Sequence, residues 1–376
     1  MSGTILKVGV LGAGFWSKNA HLPGYRRDPR TRVVAICDPQ LNAANEAARM
    51  FNIPRRPDVT SNPSEVIERP DIDIIDVVTW DNAHFKLTME ALEAGKHVLC
   101  EKPVAKDFHD TLRARDLAKS KNLKTKVGFT FRYSPAMMYM KELIDNGYVG
   151  TPFIYNGYEQ NSQFIDPDVP SRSRDAKADQ STIRVASLEG YGAPIIDLGH
   201  WFIGSDLTQV VGTLRNFIPE RVVAETGKRM RLNIDDGDIF IGEFTNGAIC
   251  SIQSSFVTVG NYPGLEARVY GSKGALICRN IDEFGICETL KGAKPDDVEF
   301  KDIPIPQRLY PPGGSSRENW MTLFYANLIS SFVNEILSPD AKTQGDFTDA
   351  AWVQEVINAV ELSFRKRQWV SLPLSR

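Results

Sequence analysis

The sequence contains no apolar run of the roughly 18 residues that a membrane-spanning helix needs. It also lacks an excess of charge of one sign, because 44 Lys and Arg stand against 47 Asp and Glu, for a formal net charge of -3. This balance predicts no attraction to nucleic acid or to a membrane surface. Residues 1–7 lack the apolar core of a signal peptide, so we expect a cytoplasmic protein.

Cysteine is scarce and scattered along the chain. The five cysteines lie mostly within apolar, strand-like runs, which predicts reduced core thiols of a cytoplasmic protein. No pair of them has the spacing of a zinc site, so we expect no metal. The positions are Cys37, Cys100, Cys250, Cys278 and Cys287.

A glycine-containing turn near the N-terminus predicts a dinucleotide site. A short apolar run enters the turn, where Gly12 permits a tight bend and Gly14 lets backbone approach a pyrophosphate. Ser17 is small enough for the following helix to pack on its strand, and the start of that helix faces the phosphates. Phe15 and Trp16 complete the motif. Without a ligand, the same pattern would be an ordinary strand, turn and helix.

The second apolar run, residues 32–37, ends in Asp38. A carboxylate a little over ~20 residues beyond the turn suits the 2′-hydroxyl of a ribose. Pro39 and Gln40 follow, and no Arg stands there to accept a 2′-phosphate. The sequence therefore favours NAD over NADP as the cofactor.

The chain is long enough for two domains, and the pattern of predicted elements changes near residue 150. Short β-rich runs alternate with helical stretches up to about residue 133, which predicts an α/β doubly wound parallel sheet. Long strand-like runs follow, and Asn246-Gly247 joins two of them as a hairpin, which predicts a mainly antiparallel sheet. We expect domains at 1–133 and 134–376, with a helix at about 348–366 packing back on the first.

One face of the antiparallel sheet should meet helices, and the other should meet solvent or a partner. We therefore expect a homodimer or homotetramer that assembles through this sheet.

Polar residues follow two of the predicted parallel strands, at the edge where α/β sheets bind ligands. Thr79, Trp80 and His84 come after one strand, and Glu101-Lys102-Pro103 comes after the next. A partly desolvated Lys102 would have a lowered pKa and could assist proton transfer at a substrate hydroxyl. An exposed turn lysine is the alternative.

The glycine turn, Asp38, the run from Ala94 to Pro103 and the run from Gly128 to Pro135 together resemble the Gfo/Idh/MocA oxidoreductases. The resemblance extends over nearly the whole chain. It implies an N-terminal Rossmann domain, a C-terminal α+β domain with an open antiparallel sheet, a tightly held nicotinamide cofactor and a sugar or polyol substrate. It also implies that Lys102 is the active-site lysine and that the segment with His21 lies under the cofactor.

One departure from the family pattern concerns the proton-transfer pair. The family usually carries an Asp and a His four residues apart at the start of a helix in the second domain. In the register that we favour, Gly190 and Pro194 stand at these two positions. Another register places Asp197 and His200 on one helix face as an acid/base pair, or as packing residues. Tyr191, Tyr133 and Glu189 are further substitutes.

The long polar loop at 165–186 carries Arg172, Arg174, Lys177 and Arg184. It predicts either a site for an anionic group on the substrate or a solvated loop whose own Asp residues balance the charge. Gln160, at the end of the preceding strand, suits recognition of hydroxyl groups.

These patterns predict an NAD-dependent oxidoreductase that acts on a secondary hydroxyl of a sugar, glycoside or polyol, with Lys102 at the reacting oxygen. One alternative is an NAD-dependent glycosidase that works by transient C3 oxidation, elimination, hydration and re-reduction, as some proteins of this fold do. The altered Asp/His pattern motivates that alternative, and the basic loop would suit an anionic glycoside such as a sulfoquinovoside. A redox-inactive binding protein is a third possibility, against which the intact Lys102 and nucleotide motif argue.

Overall fold

The computed structural model describes residues 4–52, 55–172, 181–260, 264–281, 288–338, 340–341 and 343–374. The chain forms two compact units. The first comprises residues Met1–Ser134 and Tyr310–Gln354, and the second comprises Pro135–Leu309 and Glu355–Arg376. The division at residues 133 and 134 into independent domains stays a prediction.

The first unit contains a six-stranded parallel sheet in the order β3-β2-β1-β4-β5-β6, which confirms the predicted doubly wound fold. All four residues of β4 are buried, as expected for a strand covered on both faces. The strands are β1 Leu6–Leu11, β2 Thr31–Cys37, β3 Asp58–Thr60, β4 Ile74–Val77, β5 His97–Cys100 and β6 Thr125–Val127. The helices are α1 Leu22–Arg27, α2 Leu41–Ala48, α3 Pro63–Ile67, α4 Asp81–Glu93 and α5 Phe108–Ser120.

Two short turns accompany the strands and α-helices of this unit. Strand β6 ends at Val127, and Thr130–Tyr133 forms a 3-10 turn. The segment after Trp16 begins as a π-helical turn, Ser17–His21, before α1. Both turns carry residues that the sequence placed in the candidate site.

The second unit is built on a nine-stranded sheet in the order β16-β15-β14-β13-β7-β12-β11-β8-β17. The β7–β12 pair is parallel and the other described pairs are antiparallel, which confirms the predicted mainly antiparallel sheet. The helices are α6 Pro135–Asp145 and α7 Ala193–Ile203. The strands are β7 Pro152–Gln160, β8 Leu207–Arg215, β9 Glu220–Val222, β10 Arg229–Arg231, β11 Gly237–Phe244, β12 Ile249–Ser255, β13 Gly264–Gly271, β14 Gly274–Ile281, β15 Glu288–Ala293 and β16 Lys301–Asp302.

The C-terminal elements are α8 Trp320–Leu337, α9 Phe347–Lys366 and β17 Val370–Ser371. Helix α8 belongs to the first unit, although the sequence placed it in the second domain. Tyr325, Ile329 and Phe332 on α8 join the same buried cluster as Val8 and Leu22, so this helix completes the apolar core around β1 and α1. The division between the units falls within α9, after Gln354.

Neither a membrane-spanning helix nor a metal-binding cluster is found in the described ranges. No described helix is both long and apolar enough to cross a bilayer. Among the described residues, no group of three His, Cys, Asp or Glu side chains is placed to hold a metal ion. Cys37, Cys100, Cys250 and Cys278 are buried free thiols, and Cys287 lies outside the described residues.

A buried ion pair fastens the end of α8 to the parallel sheet. Lys126 of β6 is fully buried, and its ammonium donates to Glu335 Oε1 at 2.6 Å, to the Tyr133 hydroxyl at 3.1 Å and to the Gln344 carbonyl at 2.5 Å. Removing one partner of such a pair leaves the other charge buried without compensation.

We expect Lys126→Met to lower the free energy of unfolding by about 3–5 kcal/mol, because the Glu335 carboxylate would stay buried. Urea unfolding followed by circular dichroism measures the change. The double variant Lys126→Met/Glu335→Leu removes both charges and should recover most of the loss. An equal loss of unfolding free energy in the single and double variants would show that the Glu335 carboxylate does not need Lys126 for compensation.

Candidate active site

The glycine turn after β1 is shaped as a nucleotide site requires. Gly12 has a φ of +107°, and a Cβ there would lie 2.4 Å from the Val78 carbonyl oxygen, so only glycine fits. A methyl group added to Gly14 would meet no described atom within 4 Å, so backbone at this point is open to a ligand. Ser17 is fully buried, as its predicted packing role requires.

Asp38, directly after β2, places its carboxylate beside this turn. One oxygen accepts from the backbone N–H of Ala13 at 2.8 Å, and the other accepts from the N–H of Gln40 at 2.8 Å. A carboxylate held here can accept the hydroxyls of a ribose. Open backbone at the turn and an acid at its side together fit the phosphate and ribose groups of a dinucleotide.

Two large aromatic side chains of the predicted cofactor site are exposed. Phe15 is 67% exposed within the turn after β1, and Trp80 is 50% exposed just beyond β4, the strand paired with β1. Large apolar surfaces exposed at the carboxyl edge of a parallel sheet suit a ligand with planar rings.

His84 joins the segments that follow β4 and β5. Its side chain is 2% exposed, and its ring nitrogens lie 2.8 Å from the Pro103 carbonyl oxygen and 3.0 Å from the Thr79 carbonyl oxygen. The Lys102-Pro103 peptide bond is cis, and Lys102 is half-buried. His84 therefore positions the segment that carries Lys102, and it does so through its contacts with backbone.

The side chain before Lys102 is held from four directions. Glu101 Oε1 accepts from Trp16 Nε1 at 3.1 Å, lies 3.2 Å from His21 Nε2 and accepts from the Tyr325 hydroxyl. Gly128 closes the remaining side, since a Cβ there would lie 2.2 Å from Glu101 Oε1. The other oxygen, Oε2, accepts from the Lys102 N–H at 3.3 Å. Glu101 is thus a fixed anchor for the lysine beside it.

His21 lies between two acids in the core of the first unit. Its Nδ1 lies 2.8 Å from Asp76 Oδ2, and its other nitrogen faces Glu101. Burial by itself would lower the pKa of His21, but Asp76 and Glu101 together raise it to about 9. The imidazole is therefore a cation at neutral pH, and it offsets charge on the two carboxylates.

The sequence contained only part of the signal for this cluster. His21 belonged to the segment that the resemblance placed under the cofactor, and Asp76 is an acid within the apolar strand β4. Tyr325 gave no signal, because an aromatic residue in an apolar helix such as α8 is most often there for packing alone.

The candidate catalytic residues of the second unit lie on α7 and the π-helical turn before it, Leu188–Gly192. The Tyr191 hydroxyl donates to Gln163 Oε1 at 2.5 Å, and His200 Nε2 lies 2.9 Å from Asp206 Oδ1. Asp197 is 1% exposed. The predicted acid/base pair of Asp197 and His200 stays a prediction.

Buried acids that sequence reasoning missed anchor this turn. Asp235 accepts from the backbone N–H groups of Ala186, Ser187 and Leu188, the last at 2.9 Å. Burial and the nearby Asp235 raise the pKa of Asp238 well above its ordinary value, and Asp238 accepts from Ser254 Oγ at 2.5 Å. The segment that carries Tyr191 therefore rests on a polar layer within the second unit.

The predicted substrate-binding residues fall into three groups. Arg172 is exposed, Arg184 is half-buried in a β-bridge with Ile234, and Gln160 Nε2 donates to Gln253 at 3.3 Å. Arg174 and Lys177 lie outside the described residues. Tyr133, which the sequence offered as a substrate-binding residue and as a substitute in the proton-transfer pair, is 2% exposed and contacts Lys126, so the structure places it in the core of the first unit.

Comparison with protein families decides the identity of the fold. The profile of the Gfo/Idh/MocA oxidoreductase family, which describes an NAD-binding Rossmann fold, matches residues 6–129. The profile of the family's C-terminal domain matches residues 137–277. The chain belongs to the Gfo/Idh/MocA oxidoreductase family. Residues 6–129 form an NAD-binding Rossmann domain, as the sequence predicted. The part of Gly12, Gly14 and Asp38 in holding NAD stays a prediction.

Curated relatives in the Gfo/Idh/MocA family include sugar and polyol dehydrogenases. The chain is 28% identical over 294 residues to a levoglucosan dehydrogenase of Pseudarthrobacter phenanthrenivorans, covering 72% of this chain and 73% of the relative. It is 25% identical over 248 residues to a scyllo-inositol 2-dehydrogenase (NAD(+)) of Bacillus subtilis, covering 66% of each.

Two solved structures have the same fold as this chain. An NAD-binding oxidoreductase from Klebsiella pneumoniae matches with a TM-score of 0.86 and 22% identity, covering 99% of this chain and 100% of that one. A levoglucosan dehydrogenase in complex with NADH and levoglucosan matches with a TM-score of 0.85 and 24% identity, covering 98% of this chain and 100% of that one.

The raised pKa of His21 predicts that stability depends on pH. The pKa rises from its ordinary value of 6.5 to about 9 on folding, so the stabilisation is complete below pH 6.5 and is lost as the pH rises through 9. We expect His21→Gln to lose a few kcal/mol of unfolding free energy at pH 6.5 and distinctly less, relative to wild type, at pH 9.5.

Urea unfolding at both pH values measures this difference. The control is His109→Gln, since His109 pairs with Asp107 at 2.8 Å but is exposed to solvent. It should change stability little at either pH. A loss in His21→Gln that is the same at both pH values would show that the imidazole carries no such proton.

Proposed function

We propose that this protein is an NAD-dependent oxidoreductase that oxidises a secondary hydroxyl of a cyclic sugar, glycoside or polyol, with Lys102 at the reacting oxygen. The observation that carries the proposal is the placement of Lys102. It follows β5 at the ligand-binding edge of the Rossmann sheet, between the anchored Glu101 and a proline that His84 holds. The relatives that act on levoglucosan and inositols support the class of substrate.

Different residues of the first unit would bind the cofactor and act on the substrate. The open backbone at Gly14 would hold phosphate, and Asp38 would hold ribose. NAD bound there would supply the acceptor for the hydride of the carbinol carbon. The Lys102 ammonium donates a hydrogen bond to the substrate oxygen and stabilises the negative charge that develops there as the hydroxyl proton departs. Because Glu101 and His84 are fixed, Lys102 needs little reorganisation at the moment of reaction.

The acceptor of the hydroxyl proton is the part of the proposal that departs from the family pattern. Gly190 and Pro194 have no titratable side chain. We propose Tyr191, Asp197 and His200 as the candidates, each to be tested by a single substitution. Tyr191 is half-buried, and its hydroxyl has a polar neighbour in Gln163, which would suit transfer of a proton.

Cytoplasmic location is also part of the proposal. The buried thiols of the described cysteines fit a compartment in which cysteine stays reduced.

We expect Lys102→Met to lower the rate of hydride transfer by about a thousandfold or more while leaving the Kd for NAD within about twofold, because Met keeps the length of the side chain and loses its hydrogen bond. NADH absorbance measures turnover with levoglucosan, myo-inositol and aryl glycosides, and calorimetry measures NAD binding. Lys86→Met, at an exposed lysine of α4, is the matched control. Normal turnover in Lys102→Met would refute the role.

The same assays separate the oxidoreductase from the redox-neutral glycosidase. Release of phenol from an aryl glycoside with no net NADH would establish the glycosidase, and stoichiometric NADH would establish the dehydrogenase. Inclusion of an aryl sulfoquinovoside tests whether Arg172 and its loop favour an anionic sugar.

We further propose that the protein forms a homodimer or homotetramer through its large sheet. Ile239 and Ile241 of β11, Ile249 of β12 and Ile154 of β7 are each 38–48% exposed. They lie on one face, since Ile249 is paired with Ile154 and with Glu243, which is on the same side of β11 as Ile241. Helix α7 contacts strands β7, β12 and β13 of this sheet. A second copy of the chain would bury the exposed isoleucines.

Ile241→Asp should shift the protein toward monomer, because it would place a charge within the apolar interface. Multi-angle light scattering after size exclusion gives the mass. Val298→Asp, at a fully exposed valine outside this face, should leave the assembly unchanged. A wild-type monomer, or an Ile241→Asp variant with the wild-type mass, would contradict the proposed interface.

A further inference from the structure

Four aromatic side chains of the first unit form a cluster beside the candidate site. Trp320, the first residue of α8, stacks on Phe131 with ring centroids 5.6 Å apart and planes inclined by 15°. Trp16 lies 5.9 Å from Trp320, and Phe324 lies 5.7 Å from it on the same helix. We call Trp16, Phe131 and Trp320 the aromatic wall.

The wall is only partly covered by protein. Phe324 is fully buried and acts as its base, while Trp16, Phe131 and Trp320 are half-buried. The three rings therefore leave aromatic surface that a ligand could cover.

Trp16 places the wall next to the residue that precedes Lys102. It follows the nucleotide-binding turn, and its indole nitrogen donates to Glu101 Oε1 at 3.1 Å. Phe131 lies three residues after Gly128, where an added Cβ would meet the Glu101 carboxylate. Through Trp16, the wall therefore contacts Glu101, whose main chain continues into Lys102.

Trp320 is also fixed from its own side of the chain. Asn319 caps α8 by accepting from the Met321 N–H at 3.0 Å. Arg27 of α1 donates to Glu318 at 2.6 Å and to the Pro312 carbonyl at 2.9 Å. These contacts hold the segment before α8 in place, so the ring is preorganised to receive a ligand.

We propose that the aromatic wall stacks against the C–H face of a ring-closed sugar or polyol and thereby selects cyclic over open-chain substrates, with Trp320 and Phe131 as the specificity-determining residues. The inference rests on the proposed function. The face of an aromatic ring carries partial negative charge, and the parallel axial C–H bonds of a pyranose or cyclitol carry partial positive charge. An open-chain polyol presents no such fixed face and gives up more conformational entropy when it is flattened against a wall.

Steady-state kinetics with matched substrates test the proposal. We expect Trp320→Leu and Phe131→Leu to lower kcat/KM for myo-inositol and for an aryl β-glucoside about tenfold, mainly through KM, and to lower kcat/KM for sorbitol less than twofold. Trp320→Phe keeps an aromatic face and should restore most of the preference for cyclic substrates. Trp369→Leu, at an exposed tryptophan of the second unit, is the control and should leave the preference unchanged.

Several outcomes would overturn the proposal. Equal losses for cyclic and open-chain substrates would show that the wall only supports the fold. A weaker Kd for NAD with an unchanged preference would show that the rings contact the cofactor instead. Wild-type kinetics in both Leu variants would show that the wall touches neither.

Failure of the proposed function can be distinguished from failure of the wall. If the wild-type protein oxidises none of these compounds, the proposed function fails, and binding is then followed by tryptophan fluorescence of the NAD complex titrated with myo-inositol. Quenching that is lost in Trp320→Leu and kept in Trp369→Leu would support the wall by itself. The wall would be refuted by quenching that persists in Trp320→Leu, or by no quenching in the wild type.

Discussion

The first unit depends on the contacts of one buried carboxylate, that of Glu101. It accepts hydrogen bonds from Trp16 of the nucleotide turn and from Tyr325 of α8, and it faces His21, which in turn faces Asp76 of β4. One side chain therefore connects the turn, the sheet and a helix from the far end of the sequence. Its main chain continues directly into Lys102, so whatever holds Glu101 also holds the candidate catalytic group.

This arrangement requires compensation of charge. Two acids, Asp76 and Glu101, face His21. Burial raises the pKa of Asp76, and a cation beside it opposes that shift. His21 supplies that cation, because its two ring nitrogens can each face a carboxylate. Trp16 and Tyr325 add donors without adding charge. Three side chains, His21, Trp16 and Tyr325, thus surround the Glu101 carboxylate, and no short segment of the chain contains them all.

In the second unit, buried acids likewise hold the segment that carries the candidate catalytic residue Tyr191. Asp235 accepts a hydrogen bond from the start of the π-helical turn that carries Tyr191. Asp238 lies on β11 and accepts a hydrogen bond from Ser254. The fold of residues 137–277 is that of the family's C-terminal domain, while the replacement of the family's usual Asp and His by Gly190 and Pro194 stays a prediction of the favoured register.

The sequence by itself determined the NAD-binding turn, the acid at Asp38, the parallel sheet followed by a mainly antiparallel one, and the place of Lys102 at a strand end. Each of these depends on residues close together in the chain, where glycine conformation, hydrophobic alternation and strand ends leave a local pattern. Only the tertiary structure decided that Tyr133 is a core residue and that α8 completes the first unit. It also revealed that Trp16 and Tyr325, 309 positions apart, share a hydrogen bond at 2.8 Å. Such contacts leave no periodic trace, because they arise when distant segments are packed around one buried charge.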